Sequence, residues 1–162
     1  NNFLFSESIQ KNIEFGNPNA TKDEVKQAAI LAEIDSEILK FKKGYETILG
    51  ERGVTLSGGQ VQRLSIARSF IKDSEIYLFD DCFSSLDSDT EDKIIKNLNN
   101  NFKGKTLLIV SHRVSCVKNA DKIIVLEKGS IIQEGTHNNL IKNEGFYKDL
   151  YIKQSREINK EI

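Results

Sequence analysis

The first regular pattern of apolar residues lies between Thr21 and Leu39 and has the spacing of a helix. Its apolar positions are Val25, Ala28, Ala29, Ala32, Ile38 and Leu39. Residues that recur every three or four positions share one face of a helix and can pack together on a core. Thr21 is a favourable N-cap, and Glu24 stands three positions later, as in a capping box. The pattern therefore predicts one helix over residues 21–39.

A glycine-rich loop followed by a second helix is predicted in the middle of the chain. Residues 41–59 hold five of the ten glycines. Helical spacing then returns after Gln60, with apolar residues at Val61, Leu64, Ala67 and Ile71. The loop therefore leads directly into the N-terminus of a helix. Helical spacing recurs from Phe146 onward, where we expect a charged amphipathic helix docked on the core.

Three short apolar runs, residues 76–79, 107–110 and 123–126, are typical of β-strands. Because the runs are continuously apolar, we expect the strands to be fully buried. Helical spacing over residues 89–98 separates the first two runs, which indicates parallel strands joined by a crossover helix. The turn at 127–130 leads into another strand and predicts a hairpin. Together these elements predict an α/β fold with a mostly parallel sheet.

Length and composition limit the class of protein. The 162 residues suffice for one domain with a core. The 23 basic residues nearly balance the 24 acidic ones, so no overall basic field favours nucleic acid or an anionic membrane. No apolar run approaches the roughly 20 residues of a membrane span. Two cysteines, Cys82 and Cys116, are too few for a disulfide scaffold and favour a reducing cytosolic setting. Methionine is absent, so we expect a piece of a longer protein.

The residues Ser57, Gly58, Gly59 and Gln60 stand where the glycine-rich loop meets the predicted helix. Adjacent glycines let backbone N–H groups approach an anion closely, and the helix dipole adds positive potential at the same place. Ser57 supplies a hydroxyl donor and Gln60 a further polar contact. These residues therefore predict a phosphate-binding site. A flexible loop that caps an ordinary helix is the alternative.

The flanking residues make this loop resemble the signature motif of the nucleotide-binding domains of ATP-binding cassette (ABC) proteins. Leu56 precedes the loop, and Gln62, Arg63 and Leu64 follow it. The resemblance implies that residues 56–60 contact the phosphates of an ATP held mainly by a second ABC nucleotide-binding domain, in a head-to-tail dimer.

Two further stretches follow in the order that this family has. The run that ends at Asp80 resembles a Walker B strand, which implies that Asp80 serves the Mg²⁺ of a nucleotide. Residues 84–87 resemble the D-loop, which runs along the dimer interface and implies nucleotide contacts for Ser85 and Asp87. Capping of the next helix by Asp87 or Ser88 is a structural alternative compatible with that role.

His112 matches the switch histidine of the family, which contacts the γ-phosphate. It follows the apolar run 107–110, and open α/β sheets bind ligands at the carboxyl ends of their strands. We therefore expect a catalytic role for His112 and a structural role for His137.

Asp81 occupies the position at which active relatives carry a glutamate that polarises the attacking water. Aspartate draws the carboxylate back by about an ångström, and a displacement of that size can cost on the order of 10²-fold in rate. With its intact signature, the chain resembles the degenerate half of heterodimeric bacterial multidrug exporters. We expect Asp81 to be the catalytic residue that polarises water at a slow site; a working base or a neutral variant is the alternative.

Some family motifs are absent from the sequence. No Gly-x-x-x-x-Gly-Lys-Ser/Thr loop occurs, because Gly104-Lys105-Thr106 lacks the leading glycine and precedes a strand. The aromatic A-loop and the Q-loop glutamine are also missing. We therefore expect the isolated chain to have essentially no ATPase activity, and its sheet to have an open edge and exposed apolar surface.

The resemblance spans essentially the whole chain and implies a partial RecA-like P-loop NTPase core together with the ABC α-helical subdomain. Residues 1–72 are expected to form the helical subdomain through the signature helix, and residues 73–162 the C-terminal part of the core. The implied function is that of an ABC exporter ATPase at the cytoplasmic face of the plasma membrane, with ATP and Mg²⁺ as cofactors. Its transmembrane domains would contact Glu51, Arg52 and Gly53, and nucleic acid would not be a partner.

Two other functions stay open at this point. A soluble ABC ATPase of DNA repair, chromosome organisation or translation has similar motifs. Such proteins typically carry coiled-coil insertions or a Pro-Thr-Asn after the Walker B acids, and neither occurs here. The third possibility is a non-enzymatic module that contributes only its dimerisation surface.

Overall fold

The computed structural model describes residues 3–50 and 53–158 of the chain. The chain divides into two compact units, Asn1–Leu108 and Ile109–Ile162. The helices are α1 (Ile9–Glu14), α2 (Lys22–Leu31), α3 (Asp35–Ile38), α4 (Gly58–Phe70), α5 (Ser88–Asn101), α6 (Val114–Val117), α7 (His137–Leu140) and α8 (Phe146–Ile158), with a 3₁₀ turn at Gly44–Glu46. The strands are β1 (Ile76–Asp80), β2 (Thr106–Val110), β3 (Ile123–Glu127) and β4 (Ser130–Gly135).

In the first unit, α1 and α2 both pack against α4. The apolar faces of the three helices form a core in which Ile9, Ile13, Val25, Ala29, Leu64 and Ala67 are at most 1% exposed. Removing such side chains from water is the main favourable term in folding. Because α4 is held from two sides, the start of this helix has a fixed place at the surface.

The single helix predicted over residues 21–39 is wrong, since α2 ends at Leu31 and α3 begins at Asp35. Between them Glu33 adopts a left-handed backbone with φ of 56°. Side chains distant in sequence hold the break: Asn97 donates to the carbonyl of Leu31 (2.9 Å) and Arg63 donates to that of Glu33 (2.7 Å). These tertiary hydrogen bonds use carbonyls that a continuous helix would need.

The three predicted strands are confirmed in position, with α5 connecting β1 to β2 in a parallel sheet. The expectation that they are fully buried is wrong. Alternate apolar side chains are exposed, at Ile76, Leu78, Leu108, Val110, Ile124 and Leu126. In β1 the side chains of Tyr77 and Phe79 are buried on one face, while Leu78 on the other is 64% exposed. A run of apolar residues predicts cover on both faces, but the described residues cover only one.

The second unit contains the predicted hairpin, because β3 pairs antiparallel with β4. Lys128 and Gly129, with φ of 48° and 79°, form its turn, in the left-handed conformation that suits a tight hairpin. The predicted C-terminal helix is also present as α8, and its Tyr147 is buried in a cluster with Val114, Ile123 and Leu140. Within the described ranges, no helix is long and apolar enough to cross a membrane.

Candidate functional site

The start of α4 is fixed by a reciprocal cap between Ser57 and Gln60. The Ser57 hydroxyl accepts from the Gln60 amide (3.3 Å), and the Gln60 side-chain oxygen accepts from the Ser57 amide (2.9 Å). The amides of Gly58 and Gly59 lie in the first turn, where a helix offers no acceptor of its own. No acidic residue stands in that turn, and the Ser57 hydroxyl keeps its proton to donate. The arrangement suits an anion.

Glu37 of α3 stabilises this cap through contacts with Gln60 and Arg63. Its carboxylate accepts from the Gln60 side-chain nitrogen (2.8 Å) and pairs with Arg63 at 2.7 Å. Burial alone would raise the pKa of Glu37, but hydrogen bonds from Gln60 and Arg63 and the charge of Arg63 hold it below its usual range. Both ends of the Gln60 side chain are thus engaged within the chain.

The two glycines of α4 lie against Ser85 of the predicted D-loop. A Cβ atom at Gly59 would stand 3.1 Å from the carbonyl oxygen of Ser85, and one at Gly58 would stand 3.7 Å from its hydroxyl. Gln62 ties the two segments together, because its side-chain oxygen accepts from the Ser85 amide at 2.9 Å. Sequence reasoning used Gln62 only as a match to a motif. Gln62 is only 6% exposed, which indicates a role inside the fold. The sequence alone does not show this burial.

Asp87 caps α5, as the structural alternative predicted. Its carboxylate accepts from the Thr90 amide at 2.9 Å. Hydrogen bonds from the Thr90 backbone and hydroxyl hold the pKa of Asp87 below its usual range. The side chain remains exposed.

The predicted Walker B acids lie at the carboxyl end of β1. Asp80 is the last residue of the strand, Asp81 follows with a left-handed φ of 45°, and both are exposed. The described part of the chain contains no cluster of three or more His, Cys, Asp or Glu that could hold a metal ion. Mg²⁺ typically binds one or two carboxylates together with phosphates and water. The exposed Asp80 carboxylate is a ligand of the kind that such an ion binds.

The two histidines lie in the second unit and differ in their surroundings. His112 is exposed in the loop between β2 and α6, and its carbonyl accepts from the Gln154 side chain at 2.7 Å. The Nδ1 atom of His137 lies 2.9 Å from the Tyr147 hydroxyl, and the His137 and Tyr151 rings form a T-shaped pair. The contacts of His137 agree with the structural role expected for it.

Leu56 is half-buried and lines an apolar groove of about 390 Å³. The other apolar side chains along the groove are Leu4, Phe5, Leu49, Val54 and Val61. Glu51 and Arg52, predicted to contact transmembrane domains, lie outside the described residues. The backbone of their neighbour Gly53 packs closely against that of Ile48. A Cβ atom at Gly53 would stand 2.1 Å from the Ile48 carbonyl oxygen.

Arg68, near the end of α4, forms a network that sequence reasoning missed. Its guanidinium donates to the backbone carbonyls of Asn12 and Phe3, each at 2.8 Å, and to the Asn12 side chain at 3.0 Å. It also stacks over the rings of Phe5 and Phe15. These bonds anchor the segment before α1 to the signature helix.

The Gly104-Lys105-Thr106 sequence is not a phosphate loop in the structure. Gly104 turns the chain with φ of 82°, and Thr106 begins β2. Lys105 pairs with Asp73 and Glu75 at 3.0 and 2.9 Å. The Lys105 ammonium is therefore used within the chain.

The chain is similar in sequence to known proteins. Residues 1–84 match the family model described as ABC transporter. The chain is 49% identical over 150 residues to the multidrug resistance-like ATP-binding protein MdlA of Buchnera aphidicola, covering 92% of this chain and 26% of that protein. It is 47% identical over 154 residues to the mitochondrial potassium channel ATP-binding subunit of Xenopus tropicalis, covering 95% and 22%.

A solved structure with a similar fold is that of a bacterial Atm1-family ABC exporter with ATP bound. The TM-score is 0.88 at 37% identity, over 93% of this chain and 27% of the other. This likeness confirms the α/β fold class, with a parallel sheet and helices, that the sequence predicted. The chain spans about a quarter of the length of these proteins.

Proposed function

The chain belongs to the ABC transporter family, and from that premise we propose that it is part of the ATP-binding and hydrolysing domain of an exporter. The observation that carries the proposal is the start of α4, where a capped and uncharged first turn presents the Gly58 and Gly59 amides to an anion. The names of the similar proteins, among them MdlA and an Atm1-family exporter with ATP bound, favour the same class. Residues 1–72 would be the helical subdomain and residues 73–162 part of the ATPase core.

In this proposal the chain contributes to two nucleotide sites. Ser57, Gly58 and Gly59 bind the terminal phosphate of an ATP held mainly by a second nucleotide-binding domain in a head-to-tail dimer. Gln60 keeps these donors in place through the cap and Glu37. Fixed donors of this kind stabilise charge without having to reorganise.

The other site lies at the carboxyl end of β1. Asp80 serves the Mg²⁺ of a nucleotide bound on this chain, and Asp81 orients water. For His112, the match to the switch histidine of the family alone supports a contact with the γ-phosphate. Ser85 and Asp87 approach the nucleotide from the D-loop. Hydrolysis of ATP supplies the free energy that drives opening and closing of the dimer and, through it, export.

We further propose that the site with Asp81 is the slower of two unequal sites. The Asp81 side chain is one methylene shorter than glutamate, and it lies exposed in a left-handed turn. A second, different chain would then supply the Walker B residues of the faster site. In such a pair, the intact signature of this chain serves the faster site.

The complete protein would lie at the cytoplasmic face of the plasma membrane, attached through transmembrane domains. Glu51, Arg52 and Gly53 are proposed to contact those domains. The near balance of charges in the sequence gives no basis for a nucleic-acid partner.

Steady-state ATP hydrolysis by the complete protein, assembled with its natural second chain, tests both proposals. Ser57→Arg, which fills the anion position with a long side chain, should lower hydrolysis by about 10²-fold or more. Asp80→Asn should lower it far less, since it disables only the slower site. Asp81→Glu should raise turnover at that site.

The outcomes separate the two claims. Full activity with Ser57→Arg contradicts the proposed binding of phosphate by α4. Equal losses with Ser57→Arg and Asp80→Asn, together with no gain from Asp81→Glu, contradict the proposal that the two sites are unequal.

A further inference from the structure

Gln62 is an internal polar residue on α4 that connects to the D-loop through both ends of its side chain. It is 6% exposed. Its oxygen accepts from the Ser85 amide at 2.9 Å, and its nitrogen donates to the Ser84 hydroxyl at 3.1 Å. A backbone N–H can only donate, so the bond to Ser85 fixes which end of the Gln62 amide is which.

Ser84 passes this contact on to Asp81. Its hydroxyl, which accepts from Gln62, lies 3.1 Å from the Asp81 carbonyl oxygen and donates its single proton there. The bonds therefore run in one direction, from the Gln62 amide through the Ser84 hydroxyl to the Asp81 backbone. Phe83, between the two, is 1% exposed and anchors the turn in the core.

The Ser84 hydroxyl supports the turn at Asp81. A left-handed backbone is uncommon for residues other than glycine, although aspartate adopts it more readily than most. The backbones of Gly59 and Ser85 are also in close contact. A Cβ atom at Gly59 would stand 3.1 Å from the Ser85 carbonyl oxygen. The first turn of α4 therefore packs directly against Ser85.

We propose that Gln62 is a positioning residue that couples two nucleotide sites through Ser84. This inference rests on the proposed function: α4 faces the nucleotide held by the second chain, while Asp81 belongs to the nucleotide held by this chain. Binding of the nucleotide held by the second chain then changes the backbone position of Asp81 at the nucleotide held by this chain. Coupling of this kind is reciprocal, so each bound nucleotide changes the affinity of the other site.

Gln62→Glu separates the two bonds of the side chain. The introduced carboxylate still accepts from the Ser85 amide, but it cannot donate to Ser84. It attracts the Ser84 proton instead, and the bond to the Asp81 carbonyl is lost. Ser84→Ala removes the same bond from the other side without placing a charge in the interior. Ser65→Ala is the matched control, since the Ser65 hydroxyl donates only to Val61 of its own helix at 3.0 Å.

The test uses the complete protein assembled with its second chain. In the absence of nucleotide, amide hydrogen exchange of residues 81–85 should become about fivefold to tenfold faster in Gln62→Glu and Ser84→Ala, as expected for one lost hydrogen bond. Exchange of residues 58–61 should not change. In equilibrium binding of ATPγS with Mg²⁺, occupation of one site should change the affinity of the other site less in both variants than in the natural protein.

Ser65→Ala should leave exchange and binding as they are. Because Ser84→Ala acts at an exposed hydroxyl, it keeps the test valid if Gln62→Glu fails to fold. Faster exchange with unchanged coupling between the sites would overturn the inference and leave the proposed function standing. Failure of Ser57→Arg to impair hydrolysis would instead overturn the proposed function.

Discussion

Two helices of the first unit, α2 and α4, begin with the same cap but carry different charge. In α2 the Glu24 carboxylate accepts from the Thr21 amide at 2.7 Å, and in α4 the Gln60 side chain accepts from the Ser57 amide at 2.9 Å. The reciprocal bond to the hydroxyl is 3.3 Å in both. Asp23 and Glu24 place two negative charges in the first turn of α2, whereas α4 has none there.

The difference shows how a helix end becomes able to bind an anion. In α2 the positive end of the dipole is neutralised by acidic groups of its own chain. Hydrogen bonds from the Thr21 backbone and hydroxyl hold the pKa of Glu24 below its usual range, so this residue keeps its charge further into the acid range. In α4 the neutral side-chain amide of Gln60 makes the same capping hydrogen bond without a charge. The dipole of α4 therefore remains available to a phosphate.

The most severe test of this comparison is Gln60→Glu, which gives α4 the cap chemistry of α2. The cap should survive, but the new charge repels phosphate, so hydrolysis by the complete protein should fall on the order of 10²-fold. The change also places two carboxylates together, because Gln60 contacts Glu37. Gln60→Glu combined with Glu37→Gln removes that repulsion and is the control. Recovery of hydrolysis in the double variant would contradict the comparison.

The two caps should also differ when their hydroxyls are removed. Ser57→Ala and Thr21→Ala should each lower the free energy of unfolding by about 1 kcal/mol, since each removes an N-cap. Only Ser57→Ala should also lower ATP hydrolysis, by about tenfold, because one phosphate contact is lost. Urea unfolding and steady-state kinetics measure the two effects. An equal loss of hydrolysis in both variants would show that the caps act only through stability.

Acid should weaken the support of α4 through Glu37. Because the pKa of Glu37 is lowered in the folded state, its bonds stabilise the fold above its ordinary pKa of about 4.3. That contribution is lost as the pH falls through the lowered value. Melting temperatures between pH 3 and 6 should therefore fall less steeply for Glu37→Gln than for the natural chain. If the melting temperatures of both proteins fell equally steeply with pH, Glu37 would not be a support of the cap.

The smallest effect is expected for Glu24→Gln, which makes the cap of α2 resemble that of α4. Asp23 still occupies its first turn, and Glu24 is exposed. The change should remove a slight loss of stability in acid and leave hydrolysis within about twofold of the natural rate. A larger change in hydrolysis would mean that α2 takes part in the nucleotide site.

Both caps could be predicted from the sequence, because a capping box depends on residues three positions apart. The break between α2 and α3 could not be predicted. It is held by hydrogen bonds from Arg63 and Asn97, which lie 30 and 66 residues from the carbonyls that accept them. The apolar runs alone predicted full burial of the strands, and only the absent family motifs led us to expect exposed apolar surface. Apolar content reveals which side chains favour burial, but not whether a neighbouring element covers them.

The candidate site divides in the same way. The order and spacing of motifs predicted Ser57–Gln60 at a helix start, Asp80 at a strand end and Asp87 as a possible cap, and the structure has them at those places. The contacts of Gln62 with Ser84 and Ser85 depend on two segments that meet only in the fold. The roles proposed for Asp81 and His112 remain predictions.

The central claim is that the first turn of α4 binds the terminal phosphate of a nucleotide held by a second chain. Cryo-electron microscopy of the complete protein, trapped with ATP, Mg²⁺ and vanadate, tests it directly. The account predicts vanadate about 3 Å from the amides of Gly58 and Gly59 and from the Ser57 hydroxyl. Trapped nucleotide whose vanadate lies away from those donors, with the start of α4 facing solvent, would contradict it.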